Sequence, residues 1–178
     1  MTDNIFKTAP HTPAHLFRAN AIYMITGATY QKQVIMQTDA RKSEWRGSFL
    51  QASELYNWNI IAWVTLDNHY HTIVKSPEQR AADLPKYVGS FHKFTARRWN
   101  DEDKTAGRKV WWNYWDTCIR NEKDFLSRLR YIFWNPIKHG LVSKPEEYKY
   151  SNYNEFMDAY LAGNILESDS EVNDVPEF

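Results

Sequence analysis

The sequence predicts an α+β fold in which helices pack on a four-stranded antiparallel sheet. Apolar residues switch between period two and period 3.6 in the order strand, helix, strand, strand, helix, strand, helix. An Asp67-Asn68 pair between two β-branched runs marks a hairpin. A chain of 178 residues, 43% hydrophobic and 25% charged, has the length and composition of one globular domain with a real core.

Residues 1–20 carry Pro10 and Pro13 without an apolar period and read as an N-terminal arm. AIYMITGATYQ (21–31) is rich in β-branched and aromatic residues and reads as a strand. In 43–58, Trp45, Phe49, Ala52 and Tyr56 recur at helical spacing, with Ser43 as a capping residue. NIIAWVTL (59–66) is a second strand and HYHTIVK (69–75) a third, returning as a hairpin. Strand alternation then puts His69, His71 and Ile73 on one face and Tyr70, Thr72 and Val74 on the other. A long helix covers about 81–100, with Leu84, Val88, Phe91, Thr95 and Trp99 on one side. The aromatic run VWWNYWDTCI (110–119) is a fourth strand, and 122–140 a helix ended by Pro136 and Gly140. Pro136 also disfavours helical geometry at Asn135, so a kink or stop is expected there. A βαββαβ order builds the ferredoxin-like sheet with helices on one face, leaving the last helix to close over the other. The domain is expected to span 21–160 and to be followed by a tail, 161–178.

That tail carries five acidic and no basic residues from Gly163 onward, and reads as a solvated, disordered end. The whole chain is formally neutral, with 22 basic and 22 acidic residues, so residues 1–162 hold 22 basic against 17 acidic, a net +5. With Cys118 alone, no intrachain disulfide can form, and a reducing compartment is expected. Neither a signal-peptide pattern nor an apolar run of ~20 residues is present. The expected location is the cytoplasm, at the nucleoid, with no membrane partner.

Two spacings carry chemistry. His69 and His71 stand two apart on a strand and can share one divalent cation. Tyr131 and Asn135 stand four apart on a helix and share a face. Asp124, Arg128, Tyr131, Asn135 and Lys138 form one polar stripe of that helix, beside an apolar stripe of Phe125, Leu129, Ile132 and Pro136. An H-x-H pair alone is weak evidence, and a boundary tyrosine is commonly structural; their combination points further. A phenol, with a pKa near ~10, is a poor nucleophile at neutral pH without help. A cation held by His69 and His71, with Asn135 as third ligand, can bind a phosphodiester and stabilise the charge of its transition state. Attack by Tyr131 would leave a 5′-phosphotyrosine and a free 3′-hydroxyl, a linkage that a second 3′-hydroxyl can reverse. Mg²⁺ prefers oxygen ligands, so Mn²⁺ is the better cation for a test. Lys86, Lys93, Arg97 and Arg98 form a basic stripe able to track a phosphate backbone, with Arg120 and Lys138 as further candidates. A solvated helix face is the plain alternative for each. Trp111, Trp112, Tyr114 and Trp115 can offer a stacking ring, although alternation should turn about half of them into the core.

These residues resemble a known group. AWVTLDNHYHTIVKSP looks like the HUH motif segment of single-tyrosine transposases. FHKFTARRWN, VWWNYWDTCIRNEKDF, YIFWNPIKHGLV and KYSNY, in that order, resemble the later blocks of REP-associated tyrosine transposases, over roughly residues 20–153. The resemblance implies an HUH-type nuclease fold with an extra tyrosine-bearing helix. It implies His69 and His71 as metal ligands, Tyr131 as nucleophile and Asn135 as the additional metal-side residue. It further implies Mg²⁺ or Mn²⁺ as cofactor and single-stranded DNA, at foldback hairpins, as partner, cut without nucleotide hydrolysis. The NPIKHG turn leaves little linker for exchanging the tyrosine helix, so a monomer is expected, with a homodimer as the alternative. The competing reading is a domesticated protein that holds hairpin DNA or RNA without cutting it. Other H-x-H enzymes fit poorly: Ile73-Val74 breaks the metallo-hydrolase and histidine-triad patterns, and six glycines are few for a cupin barrel.

Overall fold

The computed structural model describes residues 18–79 and 81–163. The expected arm and acidic tail, apart from residues 18–20 and 161–163, lie outside the described residues. Strand β1 (Ile22–Ala28) leads through a short turn to helix α1 (Asp39–Tyr56), then to strands β2 (Asn59–Thr65) and β3 (His69–Lys75). Helix α2 (Leu84–Glu102), strand β4 (Trp115–Ile119), helix α3 (Glu122–Lys138) and helix α4 (Tyr153–Leu161) follow. The sheet order is β2-β3-β1-β4 with every pair antiparallel, the expected ferredoxin-like order.

Helices α1 and α2 cover one face. Tyr70 points there and is fully buried, its ring against Trp45, Phe91 and Trp111. The same face carries Tyr23, packed edge-on against Trp58, which stacks on Tyr87 of α2. Helix α3 covers the opposite face, where His71 meets Tyr131. Burial on both sides explains why β3 is apolar or buried at nearly every position. The outer edge of β2 is covered by the chain before α4. Thr65 N donates to the Tyr150 carbonyl, and the Asn152 side chain accepts from Trp63 N and donates to the Ile61 carbonyl. An otherwise open edge is thereby paired.

Several bounds differ from expectation for local reasons. Helix α1 starts at Asp39 rather than Ser43, because the Thr38 hydroxyl caps it by accepting from Arg41 N. It ends at Asn57, in the left-handed region at φ 56°. Regular β4 pairing begins at Trp115 rather than residue 110. Strand β1 ends at Ala28 and turns away through Gln31 and Lys32, both at positive φ, so Trp111 makes only an isolated bridge to Thr29. Helix α3 runs through Pro136 to Lys138, with His139 N donating to the Asn135 carbonyl, so the expected break at Asn135 does not occur. Gly140, at φ 67°, ends that turn. Helix α4 is an element the periodicity reading did not separate; it packs Phe156 and Tyr153 on Phe133 of α3.

Tyr70 sits over Gly27, its cross-strand neighbour. A Cβ on Gly27 would lie 2.3 Å from Tyr70 Cε1 and 2.5 Å from Cζ. The Tyr70 ring cannot yield, because its hydroxyl is hydrogen-bonded to His92 Nε2 at 2.9 Å and aromatics enclose it. Gly27→Ala is therefore expected to destabilise by about 2 kcal/mol or more, read as a lowered thermal midpoint. Tyr70→Phe should not rescue it, since the ring carbons make the contact.

His92 stacks on Trp111 with centroids 4.3 Å apart and planes 6° from parallel. Burial lowers its pKa to about 3 from the usual 6.5. The folded state thus keeps His92 neutral, while the unfolded chain takes up a proton below pH 6.5. Stability should therefore be lost as pH falls from about 6.5 toward 3. His71, also lowered to about 3, acts with the same sign. Thermal melts between pH 8 and 4 should show a shallower decline in His92→Gln than in the wild type.

Candidate active site

The register of the sheet builds the site. His71 is paired with Thr26 of β1, so both side chains point at α3. The Thr26 hydroxyl and His71 Nδ1 lie 2.7 Å apart, which fixes the ring and turns Nε2 toward the helix. That Nε2 is buried and has no hydrogen-bond partner. His69 is held in the same way from the hairpin turn, its Nδ1 2.7 Å from Asn68 Oδ1. An amide oxygen only accepts, so His69 carries its proton on Nδ1 and leaves a lone pair on Nε2. Burial lowers the pKa of His69, and lowers that of His71 to about 3. For His71 the nearby charges of His69, His139 and Lys138 add to the burial effect. Both rings are therefore neutral at physiological pH, the form that ligates cations.

Helix α3 supplies the other side. Asn121 caps its start by accepting from Asp124 N at 2.8 Å. Its polar stripe falls as the spacing predicts. Tyr131 is 43% exposed, with its ring 5.0 Å from that of His71. Lys138 Nζ lies 5.6 Å from the Tyr131 ring centroid. One turn beyond Tyr131, Asn135 is buried and places Oδ1 3.3 Å from His69 Nε2, while its Nδ2 is buried without a partner. His139, after the helix, lies with its ring 5.1 Å from that of His69.

The His69 and His71 rings lie 5.1 Å apart, and Asn135 Oδ1 stands 3.3 Å from His69 Nε2. A lone pair of His69 faces the acceptor oxygen of Asn135, and His71 Nε2 stands orphaned beside them. A buried ring nitrogen without a partner costs free energy unless a ligand reaches it, and His71 Nε2 is such an atom. This donor set suits a divalent ion of the Mn²⁺ or Mg²⁺ kind, with further positions open. Among the described residues no three His, Cys, Asp or Glu side chains group to hold a metal.

A groove of about 500 Å³ opens beside the site, with Met24, Thr26 and His71 on the sheet and Arg128 and Tyr131 on α3. The basic candidates divide. Lys138 is at the site. Lys86, Lys93, Arg97 and Arg98 are exposed on α2, across the sheet from Tyr131. Of these, Lys86 pairs with Asp83, and Arg98 with Glu44 and Glu102. Arg120 is exposed just past Ile119, at the end of β4 opposite the Trp115–Thr26 pair. The aromatic run splits: Trp111 is buried, whereas Trp112 and Trp115 are exposed. The sequence reading left Thr26 and Asn68, which orient the two histidines, unidentified. Thr26 is legible only through β1–β3 register, whereas Asn68 directly precedes His69.

Residues 19–118 match the family described as "Transposase IS200 like". A Haemophilus influenzae protein described as a REP-associated tyrosine transposase is 28% identical over 149 residues, covering 71% of this chain and 80% of that protein. The "REP-associated tyrosine transposase" of Escherichia coli K12 is 31% identical over 98 residues, 54% of each chain. A solved structure of a REP-associated tyrosine transposase bound to a REP hairpin superposes with a TM-score of 0.70 at 18% identity. It covers 93% of this chain and 96% of that one, a likeness of fold. With its matched segment running from before β1 to within β4, over more than half its length, the chain belongs to the IS200-like transposase family and is a relative of the REP-associated tyrosine transposases.

Proposed function

We propose that this transposase is a metal-dependent endonuclease and strand transferase for single-stranded DNA at hairpin-forming repeats, working through a 5′-phosphotyrosine. The observation that carries the reading is the placement of Tyr131 beside the inward-turned Nε2 of His71, with His69 and Asn135 completing a cation-binding donor set. His69, His71 and Asn135 would hold Mg²⁺ or Mn²⁺, which when bound supplies positive charge against a phosphate oxygen. Tyr131, on the solvent-facing rim of α3, reaches the scissile phosphorus. Its Oη forms the new P–O bond while the P–O3′ bond breaks, and the phenolic proton is lost as the leaving 3′-oxygen is protonated. Lys138, over the Tyr131 ring, contributes positive charge on the side where the phosphodiester must lie. Reversal by another 3′-hydroxyl joins strands. The hairpin preference follows the relative whose structure carries a REP hairpin. Because Tyr131 meets His71 of its own chain, one protomer holds a full set of groups, which supports a functional monomer. With no helix of the described residues long and apolar enough to cross a membrane, the site of action we propose is the nucleoid.

The test is a denaturing-gel assay with end-labelled hairpin oligonucleotides from the DNA flanking the gene, with Mn²⁺ or with chelator. A covalent protein–DNA adduct that needs the cation supports the reading. Tight binding with no adduct on any hairpin would overturn it in favour of a protein that holds hairpins without cutting them.

A further inference from the structure

One wall of the groove beside Tyr131 takes no part in the cleavage chemistry. Trp115, the first residue of β4, pairs with Thr26 and so shares the face of Thr26 and His71. Its indole is 49% exposed and lines the groove. Across from it, α3 presents Arg128, whose Nε bonds Asp124 Oδ1 at 2.7 Å and whose Nη1 touches Met24 Sδ at 3.4 Å. The groove therefore offers an aromatic plane on the sheet side and paired hydrogen-bonding groups on the helix side. Tyr131 and His71 stand at the same opening.

An open indole at the mouth of this groove suits an unpaired base, because every base has a π-face to stack. A guanidinium held against a carboxylate presents donors and an acceptor in fixed positions, the means by which a base edge is discriminated. We propose that this groove is a nucleobase pocket. The unpaired base next to the scissile phosphate stacks on Trp115 with its edge toward Arg128 and Asp124, and that contact sets the phosphodiester in line with Tyr131. Trp115 is then a positioning residue and Arg128 a specificity residue. The inference rests on the reading of Tyr131 as the nucleophile of single-stranded DNA cleavage.

The experiment uses the full chain. Wild-type adduct formation on hairpin oligonucleotides first maps the cut position. Oligonucleotides carrying 2-aminopurine at successive positions around it are then bound to Tyr131→Phe, which cannot turn them over. Quenching at a base adjacent to the cut is expected, and its loss in Tyr131→Phe with Trp115→Ala. Trp115→Ala should weaken binding of that strand about tenfold, while Trp115→Phe restores both quenching and affinity. Arg128→Met should level the base preference at that position without abolishing the adduct. Equal quenching with and without Trp115, or quenching confined to distant positions while wild-type adduct forms normally, would overturn the pocket alone. A wild type that forms no adduct would instead overturn the nucleophile reading, and the pocket with it. Melting curves of the Trp115 variants separate loss of stacking from loss of fold.

Discussion

Tyr131→Phe is expected to lower covalent adduct formation by at least about a thousandfold, to the limit of detection, while the affinity for a hairpin changes by less than about threefold. The substitution removes one oxygen and keeps the ring, which makes the packing contacts with His71 and Lys138. Because Tyr131 is 43% exposed, loss of its hydroxyl should cost no more than about 0.5 kcal/mol of stability. The variant should melt as the wild type does. An effect confined to the covalent step, with binding and melting preserved, is the signature of a nucleophile; a structural tyrosine would show the reverse. Adduct on a denaturing gel, hairpin affinity and a thermal melt together check the prediction, and equal adduct in both proteins would sink it. An adduct formed instead by His139 or Lys138 would be a phosphoramidate, which acid hydrolyses while a phosphotyrosine survives, so acid treatment of the gel sample distinguishes the nucleophiles.

Much of this site was legible in the sequence because it depends on local periodicity. The two-residue spacing of His69 and His71 and the stripe from Asp124 to Lys138 survive folding unchanged, since strand and helix geometry dictate them. The βαββαβ order was legible for the same reason. What the sequence concealed depends on contacts between distant segments. Thr26 orients His71 only because β1 lies against β3 in one register. That the α2 basic stripe lies across the sheet from Tyr131 was likewise hidden, because it depends on which layer each helix joins. Helix α3 passes through Pro136 because Ile132, Phe133, Asn135 and Pro136 are all buried, and helical bonding resumes at once with His139 N donating to the Asn135 carbonyl. The short β4 follows from the turn at Gln31 and Lys32, whose positive φ no composition rule demands of those residue types. Tyr70, the bulky residue between two candidate ligands, is aimed into the opposite layer as strand alternation expects, and what the sequence hid is its anchor there, His92.

The second large effect concerns the cation, and it can be read without DNA. Mn²⁺ is expected to raise the thermal midpoint of the wild type, and chelator to reverse the shift. A ligand bound only to the folded state at 100 times its Kd stabilises by about 2.7 kcal/mol, which is roughly 5–10 °C for a domain of this size. The reason lies in two buried atoms without partners, His71 Nε2 and Asn135 Nδ2, and in His69 Nε2 opposite Asn135 Oδ1 at 3.3 Å. Without a cation, the Asn135 amide can gain a bond by turning Nδ2 toward the His69 lone pair; with one, Oδ1 must face inward. His71→Ala and His69→Ala should each abolish the Mn²⁺-dependent shift and lower adduct formation by at least about a hundredfold. Asn135→Ala should be milder in stability, since it discards an unsatisfied amide along with a ligand, yet it should still reduce the Mn²⁺ shift. The discriminating result is the pairing of the two readouts. If Mn²⁺ stabilises His71→Ala as much as the wild type, the imidazoles do not hold the ion, and their neutral, desolvated state serves packing on α3 instead.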